Sequence, residues 1–258
     1  MKVFATYNIK GGVGKTSAAV NLAYLAASEG QRTLLWDLDP QGAATYLFRI
    51  KSGVSGGAKA LVRGRTGMDD PVKATDYDNL DLLPADFSYR NMDLALDHGK
   101  SPTRRITELL ATVAADYDVV FLDCPPSVSL VSESVLRATD ALLVPLIPTT
   151  LAVRTYDQLI AFVAAAKAPR PAVLAFFSMV DRRKKLHRES MAALRDGRPG
   201  IAIAAIPAAA VVENMGPKRE PVNVFAPSSE AARAYVALWL EARGLARLGG
   251  SDRAPGSS

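Results

Sequence analysis

The chain has 258 residues, 49% of them hydrophobic and 22% charged, the balance of a globular protein that buries a substantial core rather than of a disordered one. Its single cysteine, Cys124, excludes an intramolecular disulfide framework and a cysteine-rich metal site. The net charge is +5, and the five basic residues of "RRKKLHR" at 182–188 equal that whole excess, so the positive charge is local.

"KVFATYNI" (2–9) reads as a first strand, followed by the glycine-rich "KGGVGKTS" and an Ala/Leu-rich helix over 17–30 that Gly30 ends. "RTLLWDLD" (32–39) is a second strand with Asp37 and Asp39 at its C-terminal end, completing a βαβ unit. Residues 51–77, with five glycines, predict short helices in a mobile surface region. Apolar runs predict further strands at 80–85, 118–123, 141–147, 172–178 and 201–207, with helices over 102–115, 129–138, 153–168 and 186–195 between them. Continuous apolar strands alternating with helices imply an α/β fold with a mainly parallel sheet covered on both faces. One domain spans 1–244. Its last helix, in "SSEAARAYVALWLEARG", is capped by Ser228 or Ser229 and stopped by Gly244, and a disordered tail follows at 245–258. No secretory segment precedes the glycine loop, and "ALLVPLIP" is too short and proline-broken to span a bilayer, so a cytoplasmic location is expected.

The loop after the first strand carries phosphate-binding chemistry. Glycines let backbone amides approach a ligand without Cβ obstruction, and the mouth of a helix favours anions. Ile9 stands where the pattern G-x-x-x-x-G-K-[ST] has its first glycine, but Gly14-Lys15-Thr16 completes its end. Backbone amides of Gly11, Gly12, Val13, Gly14 and Lys15 can surround a phosphate, Lys15 can reach the β/γ oxygens, and Thr16 can ligate Mg²⁺. Asp123, ending "VVFLD", is the natural Walker-B-like carboxylate for a Mg²⁺-bound water, and Asp39 can position the attacking water. The chemistry read from these residues is Mg²⁺-dependent triphosphate hydrolysis.

"KGGVGKTS" at 10–17, "DLDPQGAAT" at 37–45, "DCPPS" at 123–127 and "IP…VFAPSSEAARAY" between Ile206 and Tyr235 closely resemble the ParA/MinD superfamily of deviant Walker-A P-loop ATPases, over almost the whole chain. The partitioning and cargo-positioning branch is the nearer one. The resemblance implies a P-loop NTPase fold binding ATP and Mg²⁺, with Gly11 to Ser17 around the phosphates and Lys10 reaching the partner's ATP across a nucleotide-sandwich homodimer. Lys15 would bind phosphate, Thr16 and Asp123 would organise the metal, and Asp39 would support hydrolysis. It further implies nonspecific DNA binding by the ATP dimer, and release when a ParB-like adaptor with a basic N-terminal segment stimulates slow hydrolysis. The location implied is the nucleoid of a prokaryote.

The basic run suits such a DNA surface. Arg182, Arg183, Lys184, Lys185, Arg188 and Arg195 are the candidates. A helix over 184–195 would align Lys184, Arg188 and Arg195, with Leu186, Met191 and Leu194 facing inward. Lys218, Arg219 and Arg154 are secondary candidates. At "IPAAAVVENMGPKREPV" the chain departs from the partitioning pattern: Ala208 and Ala209 replace an Arg-Asn pair and Val211 a second Arg. Base packing near Pro207 would then rely on backbone contacts. A MinD-like membrane role requires an amphipathic C-terminal anchor that Gly244 interrupts, an iron-sulfur ATPase requires more cysteines, and a nucleotide-dependent binding module with little turnover is the remaining alternative.

Overall fold

In a computed structural model, residues 1–64, 67–68, 70–97, 101–166 and 169–248 are described. The apolar runs pair into one eight-stranded sheet of order β3-β4-β2-β5-β1-β6-β7-β8. In chain order its elements are β1 (Lys2–Thr6), α1 (Lys15–Ser28), β2 (Thr33–Asp37), α2 (Ala43–Leu47), α3 (Gly57–Arg63), β3 (Lys73–Ala74), β4 (Leu80–Leu83), α4 (Met92–Asp97), α5 (Arg105–Thr112) and β5 (Val119–Asp123). Then follow α6 (Leu130–Ala138), β6 (Ala141–Leu146), α7 (Ala152–Ala165), β7 (Ala172–Val180), α8 (Lys185–Arg195), β8 (Ile201–Pro207), α9 (Ala210–Glu213), α10 (Met215–Lys218), α11 (Val222–Phe225) and α12 (Glu230–Leu248). All pairings are parallel except that of β3 with β4. The P-loop NTPase architecture expected from the sequence is present.

Successive strand residues point to opposite faces, and both faces are covered, which explains why the central strands β1, β2 and β5 are apolar on both faces and polar only at their ends. Val3, Ala5 and Tyr7 join Trp36, Val120 and Leu122 on the face under α4 to α7. Phe4, Leu35 and Phe121 join the other face, against α1 and α12, where Phe4 stacks on Phe121 at 5.2 Å and meets the Trp239 ring edge-on at 5.6 Å. Fully burying each such side chain contributes about 1.5–3 kcal/mol.

The interval 51–77 does hold a short helix, α3, bracketed by left-handed Gly56 and Gly64. The edge strand β3 inside it escapes sequence reading because it is two residues long and exposed, so no apolar run marks it. Four other expectations need correction. Gly244 does not stop α12, which continues to Leu248: buried Ala242 and Ala246 hold that turn on the core, and packing outweighs the cost of glycine in a helix, about 1 kcal/mol. The start is as expected, with Ser229 Oγ accepting the Ala232 N–H at 3.1 Å. In α8, Leu186 faces solvent and His187 is buried instead, its Nδ1 accepting the Asp181 N–H at 3.1 Å. The first helix begins at Lys15, two residues before the apolar pattern does. The predicted helix over 153–168 ends at Ala165, and its last two residues, like 249–258 of the predicted tail, lie outside the described residues.

Candidate functional site

Register brings the site together. β1 lies between β5 and β6, and β5 between β1 and β2, so Thr6, Asp123 and Asp37 stand side by side at the C-terminal ends of three adjacent strands. The order reverses across β1, and the glycine loop leaves β1 at that crevice, the usual ligand position of an open parallel sheet. Gly12 and Gly14 take φ of +69° and +92°, a conformation that strains residues with a Cβ. Gly14 immediately precedes α1, aiming the loop at the helix N-terminus.

Several side chains outside the motifs hold the loop. Asn8 donates to the Pro145 carbonyl at 2.8 Å and accepts the Lys10 N–H at 2.9 Å, and Ser178 Oγ donates to the Val13 carbonyl at 2.6 Å. Tyr7 Oη donates to the Ser127 carbonyl at 2.7 Å, tying β1 to the loop after Asp123. None of these carries a sequence signal, because each is a single polar residue whose tie to another element runs to backbone distant in sequence.

The two loop lysines sit in opposite surroundings. Lys15 is 7% exposed and its Nζ donates to the Lys10 carbonyl at 3.1 Å, whereas the Lys10 side chain is exposed. Burial pulls the Lys15 ammonium below its ordinary pKa, partly opposed by Asp123 and Asp39. Asp123 is fully buried. Its Oδ1 accepts from Thr6 Oγ1 at 3.2 Å, while its Oδ2 has no hydrogen-bond partner. Burial foremost, then the neighbouring Asp37 charge, pushes the Asp123 carboxyl well above the ordinary carboxylate range. The nearby Thr16 hydroxyl favours its ionised form without making a well-formed bond to Oδ2. A buried carboxylate with a free oxygen gains from an adjacent cation, and a desolvated ammonium gains from an anion. The residues therefore fit magnesium and a phosphate chain, and Thr16 and Asp123 could hold the metal, since Mg²⁺ characteristically takes few protein ligands besides substrate phosphates.

Asp37 is occupied differently from its neighbours. It is fully buried, and its Oδ2 accepts both the N–H and the Oγ1–H of Thr45, at 2.8 and 2.7 Å. Thr45 Oγ1 in turn accepts the Ala85 N–H at 2.8 Å. Asp37 thus anchors α2 rather than facing a ligand. Asp39, half-buried, accepts the Gln41 N–H at 2.9 Å and stands in the turn between β2 and α2. Pro207 ends β8, and the Ala208 N–H that follows donates to Val180 at 3.0 Å. Asn21 of α1 accepts the Val222 N–H at 2.8 Å, fastening the segment after Pro207 to the phosphate-loop helix.

A sequence family described as an AAA domain matches residues 1–173. Sporulation initiation inhibitor protein Soj of Bacillus subtilis is 30% identical over 243 residues, covering 92% of this chain and 96% of Soj. The chain belongs to the ParA/MinD superfamily of P-loop ATPases. Within that superfamily, chromosome partitioning protein ParA of Caulobacter vibrioides is 31% identical over 196 residues, 73% of each chain. Cobyrinic acid a,c-diamide synthase from Mycobacterium smegmatis, solved with an ATP analogue and magnesium, superposes with a TM-score of 0.77 at 26% identity over 100% of both chains.

The sequence-derived basic residues divide into groups. Arg182, Arg183, Lys184 and Lys185 are exposed in the turn before and at the start of α8. Arg183 is held by Asp181 at 3.0 Å and Lys185 lies 3.5 Å from Glu189, both pairs solvent-exposed and hence weak. Arg195 shares the helix face of Arg188 and is fastened to β8: it donates to the Ala202 and Ile203 carbonyls and lies over the Phe177 ring. Arg219 docks on α2, donating to the Tyr46 carbonyl at 2.8 Å with its guanidinium 4.4 Å above that ring. Lys218 is exposed, with Nζ 5.3 Å from the Phe225 ring centre, and Arg154 is exposed on α7. Among the described residues no helix is long and apolar enough to cross a membrane.

Proposed function

We propose that this protein is a Mg²⁺-dependent ATPase that dimerises on ATP, binds DNA without sequence preference and positions DNA or another intracellular cargo on a prokaryotic nucleoid. The observation that carries this reading is the pair of loop lysines: Lys15 is drawn into its own site, while Lys10 stays exposed as a cation that site does not use. A second subunit facing the loop would place Lys10 on the partner's phosphates, making turnover conditional on assembly. Magnesium supplies charge neutralisation on the phosphates when bound. Lys15 and the amides of residues 11–16 orient the phosphate chain, Thr16 and Asp123 hold the metal, and Asp39 orients the attacking water. Pro207 and the backbone after it border the base.

DNA contact belongs to the exposed turn of Arg182, Arg183, Lys184 and Lys185, with Arg188 behind it and Lys218 as an outlying cation. Phosphate contacts need such charge and no base-reading geometry. A ParB-like adaptor then stimulates hydrolysis and releases the complex. The test is fluorescence anisotropy on two unrelated duplexes at low salt with ATP, ADP or no nucleotide. ATP-selective binding to both is expected. Reversing all four charges of the turn should abolish it while ATP affinity stays unchanged. Equal binding in every nucleotide state, or none, would remove the DNA-bound switch.

A further inference from the structure

The edge strand β8 is broken in its middle. Ala175 of β7 pairs with Ile201 and Phe177 with Ala205, so β8 uses two more residues than β7 over the same stretch. The surplus backbone is fully held. Glu241 of α12 accepts the N–H groups of Ile203 and Ala204 at 2.8 Å each, and Arg195 Nη2 donates to the carbonyls of Ala202 at 3.2 Å and Ile203 at 2.9 Å. Bulges of this kind re-aim a side chain. Here Ala202 and Ala204 are buried, and Ile203 is left 84% exposed, the most exposed large apolar residue among those described.

Ile203 does not stand alone. With Ala205 it forms one wall of a groove of about 480 Å³ whose other wall is the α8 stripe Arg188, Met191, Ala192 and Arg195, at the i, i+3, i+4, i+7 spacing of one helix face. Among the described residues neither arginine pairs with a carboxylate. Arg188 donates to the Arg182 and Arg183 carbonyls and Arg195 to those of β8, bonds that fix the guanidinium groups without cancelling their charge.

We propose that this groove is a docking site for an acidic amphipathic segment of a protein partner, its apolar face covering Ile203 and Met191 and its carboxylates meeting Arg188 and Arg195. Charge complementarity selects that occupant. A basic adaptor segment would meet like charge, so the groove serves a partner other than the one that stimulates hydrolysis. A second copy docked about a two-fold axis would bring the arginines of this same patch together. A duplex has no apolar counterpart for Ile203, and it rewards the exposed turn at 182–185 instead.

The experiment selects a displayed library of random 16-residue peptides against the immobilised full-length protein, then measures the selected peptides by anisotropy. Expected are peptides combining bulky apolar residues with Asp or Glu at helical spacing. Their Kd should rise by about tenfold or more with Ile203→Asp and with Ala192→Glu, a loss of at least about 1.4 kcal/mol. Both sites are exposed, so folding is not at stake, and ATP hydrolysis should be unchanged in both variants. No acidic selection, equal binding to both variants, displacement of the peptide by a 30-base-pair duplex, or self-association lost in Ile203→Asp would each overturn the proposal. DNA binding on the same variants is a separate readout: Arg182 of the turn also borders the groove, but neither substitution replaces a residue of the turn at 182–185.

Discussion

Lys15 and Asp39 belong to the same site but act on different steps, so single substitutions should separate binding from turnover. Lys15→Ala removes a cation already desolvated for an anion, and calorimetry should then detect no ATP binding; unchanged affinity would sink the assignment. Asp39 makes one local turn contact, so Asp39→Ala should keep ATP affinity and slow hydrolysis by about 100-fold or more, with wild-type turnover the contrary result. Asp86 carries a stability prediction. Its burial raises the pKa, but bonds from Ser88 and from the Val54 N–H outweigh that and leave it below the ordinary 3.8. A depressed folded-state pKa contributes stability above 3.8 that is lost as pH falls through the folded value. Asp86→Asn should therefore lower the urea midpoint at pH 7, and the gap to wild type should close as pH falls below 3.8 through the folded value. A gap independent of pH would refute the ionic contribution.

At the scale of elements, α12 illustrates how packing overrides a local stop signal. Gly244 lies inside the helix with open space where a Cβ would be, and its φ is not left-handed. Gly244→Ala should stabilise the protein by about 0.5–1 kcal/mol in urea denaturation, and a loss of stability would mean that the C-terminal turn is not helical in solution. The converse happened at α8, where the amphipathic pattern suggested Leu186 as an inward residue. His187 takes that place because its ring accepts the Asp181 amide at the turn, a contact invisible to hydropathy. The bulge in β8 is similarly silent in "IAIAAIP", which reads as one unbroken strand.

For the whole molecule, the ParA/MinD reading makes hydrolysis a property of two chains. Specific ATPase activity should rise with protein concentration, and Lys10→Ala should flatten that rise and lower the rate by about 100-fold while leaving nucleotide affinity intact. Activity independent of concentration in the wild type would place the full catalytic set within one subunit.

The sequence by itself determined every strand but β3, the glycine loop and the family, because apolar runs, clustered glycines and strand-end acids are local signals that survive without a fold. It also marked Lys15, Thr16, Asp39 and Asp123, whose spacing is set by single strand-loop-helix units. Only the tertiary structure distinguished the strand-end acids: Asp37 and Asp123 end similar strands, yet Thr45 and the Asp39 N–H occupy both oxygens of the first while the second keeps an oxygen free. It likewise fastened Arg195 to the β8 carbonyls and docked Arg219 on α2, since carbonyls and rings distant in sequence fixed where each guanidinium sits. Local pattern specifies what a residue can do, whereas long-range hydrogen bonding and burial select which of those capacities remains available.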